Sequence, residues 1–361
     1  MLDRTHRIAA CVTCSALAWL PLRSPAASAL PPPVPVVRPD GPALPVDPPF
    51  SFDKKKTRQS ASGIACAPSG ANRHCLVVFD EGTQAQFAWL GPQRMQPIGP
   101  PIDLTGADGE MDAEGAAFSG DMFYVLGSHS VKRESCKPNP ASRVLVRFKA
   151  AAPNGALAGI ESRVTTTRLW DLILKDPYLR LHAQGCLGDG KGGSAEQLQH
   201  RPGINIEGLA VSGGRLYAGF RGPSEDGTAP VFSVNAQALF DGTDAAPALH
   251  RLALGTRVGI RDMAAASHSL LLLLGPDDHD AGADATWSVA EWQPAGAAGQ
   301  NPQPRRLAVL DIRKSDLGGA CSDAIKPEAL SILEESTTRY RIVVLSDGVC
   351  DGGPLVFDIP R

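Results

Sequence analysis

EGAAFSGDMFYVLGSHS, residues 114–130, reads as two short strands around a tight turn. Glu114-Gly-Ala-Ala117 opens the first strand, Ser119-Gly120-Asp121 turns the chain, and Met122–Leu126 forms a strongly apolar second strand. A glycine-containing polar turn between two apolar runs is hairpin chemistry. The construction returns in EGLAVSGGRLYAGFRGP, residues 207–223. Three looser copies complete the set: Ser62-Gly-Ile-Ala65 with CLVVFDEG (75–82), Arg261-Asp-Met-Ala264 with LLLLLGP (270–276), and Glu328-Ala-Leu-Ser331 with RIVVLSDG (341–348). Each begins with a charged or polar residue, then a small one (Asp262 in the fourth copy), then an apolar pair.

Further strand-like runs follow the hairpins, at Arg143–Phe148, Ala229–Val234 and Arg306–Ile312. A recurring unit of about 40–50 residues with four antiparallel strands is a propeller blade. The expected fold is therefore all-β, a β-propeller of four-stranded antiparallel blades. A β-sandwich is disfavoured, since its strands do not recur as matched hairpins. Five blades are favoured over six; the question is the long interval from Glu114 to Glu207. That interval contains an amphipathic helical stretch, Leu169–Leu181, and a glycine-rich loop, GCLGDGKGG (185–193). The chain after Glu328 has room for three strands, so Phe50-Ser-Phe-Asp53 is expected to supply the fourth and seal the ring.

Residues 1–29 have the pattern of an export signal. Arg4 and Arg7 precede an uncharged run at 8–22, and Ala27-Ser28-Ala29 is a small-x-small cleavage site. The run is shorter than the roughly 20 residues of a membrane span, so no transmembrane segment is expected in the mature chain. Residues 30–49 contain nine prolines and read as an extended linker. The propeller then occupies residues 50–361. The expected location is periplasmic or secreted, the expected state monomeric. A net charge of −3 gives no basis for binding nucleic acid. Six of the eight cysteines lie beyond the signal, and an even number in an exported protein favours disulfides. Cys66 and Cys75 face each other across a hairpin; Cys136–Cys186 and Cys321–Cys350 follow by chain proximity. None has the spacing of a zinc site.

Hairpin geometry places the chemistry. The start of the first strand lies beside the end of the second. One rim of the propeller should therefore gather Ser62 with Asp80 and Glu81, Glu114 with Ser128 and His129, Glu207 with Arg221, Arg261 with Asp277, and Glu328 with Asp347. The candidate ligand-binding residues are Glu114, His129, Glu207, Arg221, Arg261, Asp262, Glu328 and Asp347. Two readings stand side by side: a pocket at the channel mouth, or pairs that lock blade to blade. Glu114, Glu207 and Glu328 are also the candidate ligands of a divalent cation such as calcium. Gly185–Lys191 has part of a phosphate-loop skeleton but lacks the following Ser or Thr. No G-x-S-x-G or H-E-x-x-H motif occurs. Asp277-Asp-His-Asp280 is a polar loop with some capacity for metal.

Asp112-Ala-Glu-Gly115 with Leu126-Gly-Ser-His-Ser130, Asn205-Ile-Glu-Gly-Leu-Ala210 with Gly219-Phe-Arg-Gly-Pro223, and Gly259-Ile-Arg-Asp262 resemble an uncharacterised bacterial family, domain of unknown function 3616. That family is in turn similar to secreted propellers grouped as phytase-like esterases. The resemblance spans roughly residues 60–350 and implies a propeller without a defined substrate. Ser62 departs from the acidic pattern of the other repeats. The leading expectation is a propeller binding a small polar or anionic ligand at the rim. The alternatives are a metal-assisted phosphoester or ester hydrolase, in which His129 moves a proton, and a structural or protein-interaction module.

Overall fold

The computed structural model describes residues 33–69, 72–106, 109–151, 158–188, 193–194, 201–279, 286–294, 302–317 and 322–361. The expected signal lies outside these residues, as do Cys321, Asp280 and the end of the glycine-rich loop.

A two-residue strand β1 (Val36–Val37) precedes the blades, followed by a one-turn helix α1 (Lys55–Arg58). Blade 1 is β2 (Ala61–Ser69), β3 (Asn72–Phe79), β4 (Gln84–Leu90) and β5 (Met95–Asp103). Blade 2 is β6 (Ala113–Ser119), β7 (Met122–Gly127), β8 (Leu145–Ala151) and β9 (Gly159–Thr166). A short helix α2 (Arg168–Ile173) leads to blade 3: β10 (Asn205–Ser212), β11 (Arg215–Gly222), β12 (Thr228–Asn235), then helix α3 (Ala236–Asp241) and β13 (Ala248–Ala253). Blade 4 is β14 (Val258–Ala265), β15 (Leu270–Pro276), β16 (Trp287–Trp292) and β17 (Arg305–Leu310). Blade 5 is β18 (Ser322–Glu335), β19 (Arg339–Val349) and β20 (Leu355–Pro360). Five blades are present. The long interval holds one blade plus an insertion, in which Leu169, Ile173 and Leu179 bury against blades 2 and 3.

The opening strands β2, β6, β10, β14 and β18 touch in sequence and return to β2, so they form the innermost ring. Neighbouring blades pack face to face, and among the described residues each of the five interfaces has its own apolar cluster. This explains why β15 is five consecutive leucines rather than an alternating strand. Both of its faces are covered.

All five repeat-opening residues occupy irregular positions. The pairing register shifts around Ser62, Glu114, Glu207, Arg261 and Glu328 in turn. A bulge inserts one unpaired residue and re-aims its side chain. The small residue that follows is a steric requirement. A Cβ on Gly115 would lie 2.6 Å from the Leu209 Cβ and 3.0 Å from the Glu207 carbonyl oxygen; one on Gly63 would lie 2.5 Å from the Glu114 carbonyl oxygen.

Two expectations about the ends need correction. Phe50–Asp53 forms no strand, and blade 5 has three strands among the described residues. Phe50 and Phe52 instead pack edge-on against Phe79 in the cluster between blades 5 and 1. The proline-rich stretch is extended, yet it does not hang free. β1 pairs in parallel with β17, the amides of Asp40 and Leu44 donate to the Val356 and Pro354 carbonyls, and Met95 donates to Pro45. The strap thus runs from blade 4 across blade 5 to blade 1. Prolines lack a donor, but their carbonyls accept, which suffices on an exposed edge. Cys66–Cys75 and Cys136–Cys186 are bonded as expected; the third expected pair includes Cys321, outside the described residues.

Gly115→Val should lower stability by about 1–3 kcal/mol or more through overpacking, read as the midpoint of urea denaturation. An unchanged midpoint would remove the steric role assigned to this position.

Candidate functional site

One mouth of the central channel opens into a cavity of about 830 Å³. The bulges at Glu114, Glu207, Arg261 and Glu328 deliver their side chains into its wall. The ends of the second strands add Asp80, Arg221 and Asp347. Ser62, the exception among the repeats, lies behind them, its hydroxyl 3.4 Å from Glu328 Oε2. Of the eight residues expected at the rim, Glu114, Glu207, Arg221, Arg261, Glu328 and Asp347 line this cavity.

The other two do not. Asp262 follows the blade 4 bulge and is fully buried; its carboxylate accepts from the Met263 amide at 2.7 Å and the Leu330 amide at 2.6 Å. It ties β14 to β18, which makes it a blade lock. His129 has a φ of 56° and is buried behind the rim. Its Nδ1 is 2.8 Å from the Gly127 carbonyl, and its ring lies 6.2 Å from Trp170 of α2. Burial, with Arg143 nearby, pushes its pKa down to about 4, so the ring is neutral at ordinary pH. The proton-moving role expected of it has no geometric support.

Four further wall residues lie outside the expected rim set: Asp112, Asn205, Asp278 and Trp287. Asp278 comes from the polar loop after β15, so its position beyond a hairpin end was the available signal. Asn205 begins the β10 bulge region and donates to both Glu207 Oε1 (3.2 Å) and Asp278 Oδ1 (2.9 Å).

Charge pairing divides the wall. Arg261, 1% exposed, reaches Glu207 Oε2 at 2.8 Å from blade 4 to blade 3, and forms a short contact with Glu328 of blade 5. Arg221 binds Glu207 Oε1 at 2.9 Å and Asp278 Oδ1 at 3.2 Å, and Arg133 reaches Asp278 at 3.0 Å. Burial works against the charge of Arg221, but Glu207 and Asp278 more than offset it. Burial likewise opposes the Asp278 carboxylate, while Arg221 and Arg133 hold its pKa below the usual range. Arg261 is pushed down to about 10, by burial first and Arg221 second, and stays charged at neutral pH.

Two expectations fail for the same reason. Arg221 and Arg261 are not available for an anion, since carboxylates already neutralise them. The trio Glu114, Glu207 and Glu328 does not converge on a metal: the Arg261 guanidinium already bridges Glu207 and Glu328. Among the described residues no three His, Cys, Asp or Glu side chains are grouped to hold an ion.

The remaining carboxyls behave differently. Burial first, then neighbouring carboxylates, raise Glu114 well above the usual carboxyl range, and burial raises Asp112 despite hydroxyl donors from Ser128 and Ser130. Asp80 is raised to about 8, by burial first and Asp347 second.

Arg261→Met would strand two buried carboxylates and should cost about 3–5 kcal/mol. Adding Glu207→Gln and Glu328→Gln should recover much of that loss; no recovery in denaturant melts would show that the bridge is not what matters. Asp80 makes a second expectation. Its folded pKa lies above its unfolded value, so the native state binds the extra proton. Stability should fall as pH rises from about 4 to about 8, and Asp80→Asn should flatten that slope in thermal melts.

No curated protein sequence matches the chain. The structure is similar to an α-L-arabinofuranosidase from Podospora anserina in complex with cellotriose, at TM-score 0.45 and 10% identity over 91% of this chain and 97% of that one. It is similar to an α-L-arabinanase of Cellvibrio cellulosa complexed with arabinohexaose, at TM-score 0.38 and 9% identity over 83% and 91%. A GH43 β-1,3-galactosidase gives TM-score 0.38 and 9% identity over 83% of this chain, which spans only 56% of that protein. At such values the likeness says nothing of chemistry. Residues 83–152 and 154–351, from β4 of blade 1 to β19 of blade 5, match the family described as "Protein of unknown function (DUF3616)", and the chain belongs to that family.

Proposed function

We propose that this chain is a binding propeller whose channel-mouth cavity takes a small polar molecule. One observation carries the reading: the fold sets the half-buried Asp80 and Asp112 and the buried Glu114 in a cavity wall where their ionised forms are disfavoured. Perturbed titratable groups gathered in a cleft are a mark of functional sites. The arginine half of the wall has a sufficient structural explanation, as a bridge between blades. In the carboxyl half only Asp112 has one, through the Ser128 and Ser130 hydroxyls, and the polar atoms of Asp80 and Glu114 suit hydrogen bonding to a ligand.

The cavity volume falls in the range of small-molecule sites, about 300–1,000 Å³. An anionic ligand is disfavoured, because it would meet carboxyls on one side and already neutralised arginines on the other. A metal-dependent hydrolase is disfavoured for the pairing of Glu207 and Glu328 given above. The two disulfides support a working place outside the reducing cytosol, in the periplasm or beyond the cell. No described helix is long and apolar enough to cross a membrane.

A thermal-shift screen of neutral polyols and sugars, organic cations and organic anions tests this directly. A ligand at a hundred times its Kd should stabilise the protein by about 2.7 kcal/mol. Glu114→Gln and Asp112→Asn should weaken the response to any true hit. A blank screen, or hits indifferent to both substitutions, would refute the cavity as a binding site.

A further inference from the structure

The cavity wall is electrostatically lopsided. On the side of blades 3 to 5, Glu207, Asp278 and Glu328 each have a guanidinium partner. On the side of blades 1 and 2, Asp80, Asp112 and Glu114 form no ion pair with any described residue. Glu114 and Asp80 are the telling members. Glu114 lines the cavity, is only 8% exposed, and forms no hydrogen bond or ion pair with a described residue; Asp80 lines it half-buried, with an Oδ1 that has no hydrogen-bond partner. Leaving such an acceptor unsatisfied is costly, and more so if it is charged. A fold that neutralises every other buried carboxylate of this wall with arginine has left a place for positive charge here.

We propose that Asp80, Asp112 and Glu114 form the docking point for the protonated amine of a small organic cation, whose ammonium group supplies the charge that blades 1 and 2 lack. This deepens the binding reading above and rests on it. An ammonium fits better than a metal ion. A hard cation needs six to eight oxygens about 2.3–2.6 Å away, and no three acidic side chains among the described residues are grouped that closely. An ammonium group directs three N–H donors at separate acceptors, and the cavity leaves room for the rest of the molecule. Two of the three lysines that line the cavity, the third being the exposed Lys132, are engaged at its edge. Lys56, with its side chain 78% exposed, pairs with Glu81, and Lys326 with Asp347 at 2.7 Å.

Binding of this kind moves a proton. Asp80 faces Asp347 of blade 5, Asp112 of blade 2 and Glu81 of its own turn, with the Ser60 hydroxyl nearby. Lys56 of α1 and Glu110 lie at the same edge. Without ligand Asp80 keeps its proton up to about pH 8. The arriving ammonium favours the carboxylate, so the carboxyl O–H breaks, its proton goes to solvent, and the carboxylate pairs with the –NH₃⁺ group. Affinity must then rise with pH until Asp80 is ionised.

Isothermal titration calorimetry of the protein separates the outcomes. The probes are 1,4-diaminobutane and ethanolamine, against 1,4-butanediol and ethylene glycol, between about pH 6 and pH 8 in phosphate and in HEPES. The amines should bind at least about tenfold more tightly than the diols, with affinity rising with pH and heats that report proton release. Asp80→Asn should weaken the amines about tenfold or more. Its stability should be preserved, since Asn replaces a protonated acid. Diols binding as tightly as amines would overturn the cation assignment while sustaining a polar-ligand site. No amine binding would overturn it too, and the wider thermal screen then decides whether any ligand site remains. Amine binding unaffected by both Asp80→Asn and Glu114→Gln would place the cation elsewhere and end the proposal.

Discussion

Five strands brought side by side around one axis leave almost no room between their backbones, and this crowding governs the rest of the molecule. The carbonyl of Glu114 lies where a Cβ of Gly63 would be, and Leu209 with the carbonyl of Glu207 crowds Gly115 in the same way. Glycine follows the bulge in blades 1 to 3, and Ala329 in blade 5. Blade 4 solves the problem with Asp262, whose carboxylate takes up amides of the crowded region, one of them from the next blade. The bulge itself belongs to the same constraint. It allows the inner strand to bend near the axis, and the unpaired residue it creates is turned toward the channel mouth. Architecture and candidate chemistry therefore share a cause: the steric device that lets the ring close also lines the cavity.

Once those side chains are gathered, electrostatics sorts them. Buried charge is tolerated where an opposite charge and hydrogen bonds accompany it. Arg261 meets that condition for two glutamates on two different blades, so one guanidinium acts as a cross-brace over a fifth of the ring on either side. Arg221, Asn205 and Arg133 extend the network to Asp278. The expected contest between a pocket and a set of locks is thus divided by location. Blades 3 to 5 contribute the lock, and blades 1 and 2 contribute the carboxyls left without a charged partner.

Much of the fold was legible because each inner hairpin is local. Its turn residues, its apolar second strand and its special first residue all lie within about twenty positions, and repetition confirms the pattern. The rim assignment followed from antiparallel geometry, and six of its eight residues line the cavity. What failed depended on information that a linear pattern does not contain. His129 sits at the right hairpin end, yet a positive φ turns it behind the rim. Nothing in the spacing of Arg221, Arg261, Glu207 and Glu328 reveals that they neutralise one another, because the partners come from separate blades. The closing strand was sought at Phe50–Asp53 by counting; the segment that actually binds the outer edges was masked by its prolines, whose carbonyls pair although their nitrogens cannot.

That proline-rich strap gives the molecule an unusual order of assembly. Asp40 meets Arg341 across a sequence separation of 301 residues, and Arg38 meets Asp316 across 278. Contacts so distant in sequence carry a large loop-closure cost and form late. The first segment of the described chain to leave a ribosome is accordingly among the last that can find its place, waiting until blades 4 and 5 exist to receive it. The strap works as a latch on a finished ring, since the carbonyls and amides it pairs with lie on blades 4, 5 and 1.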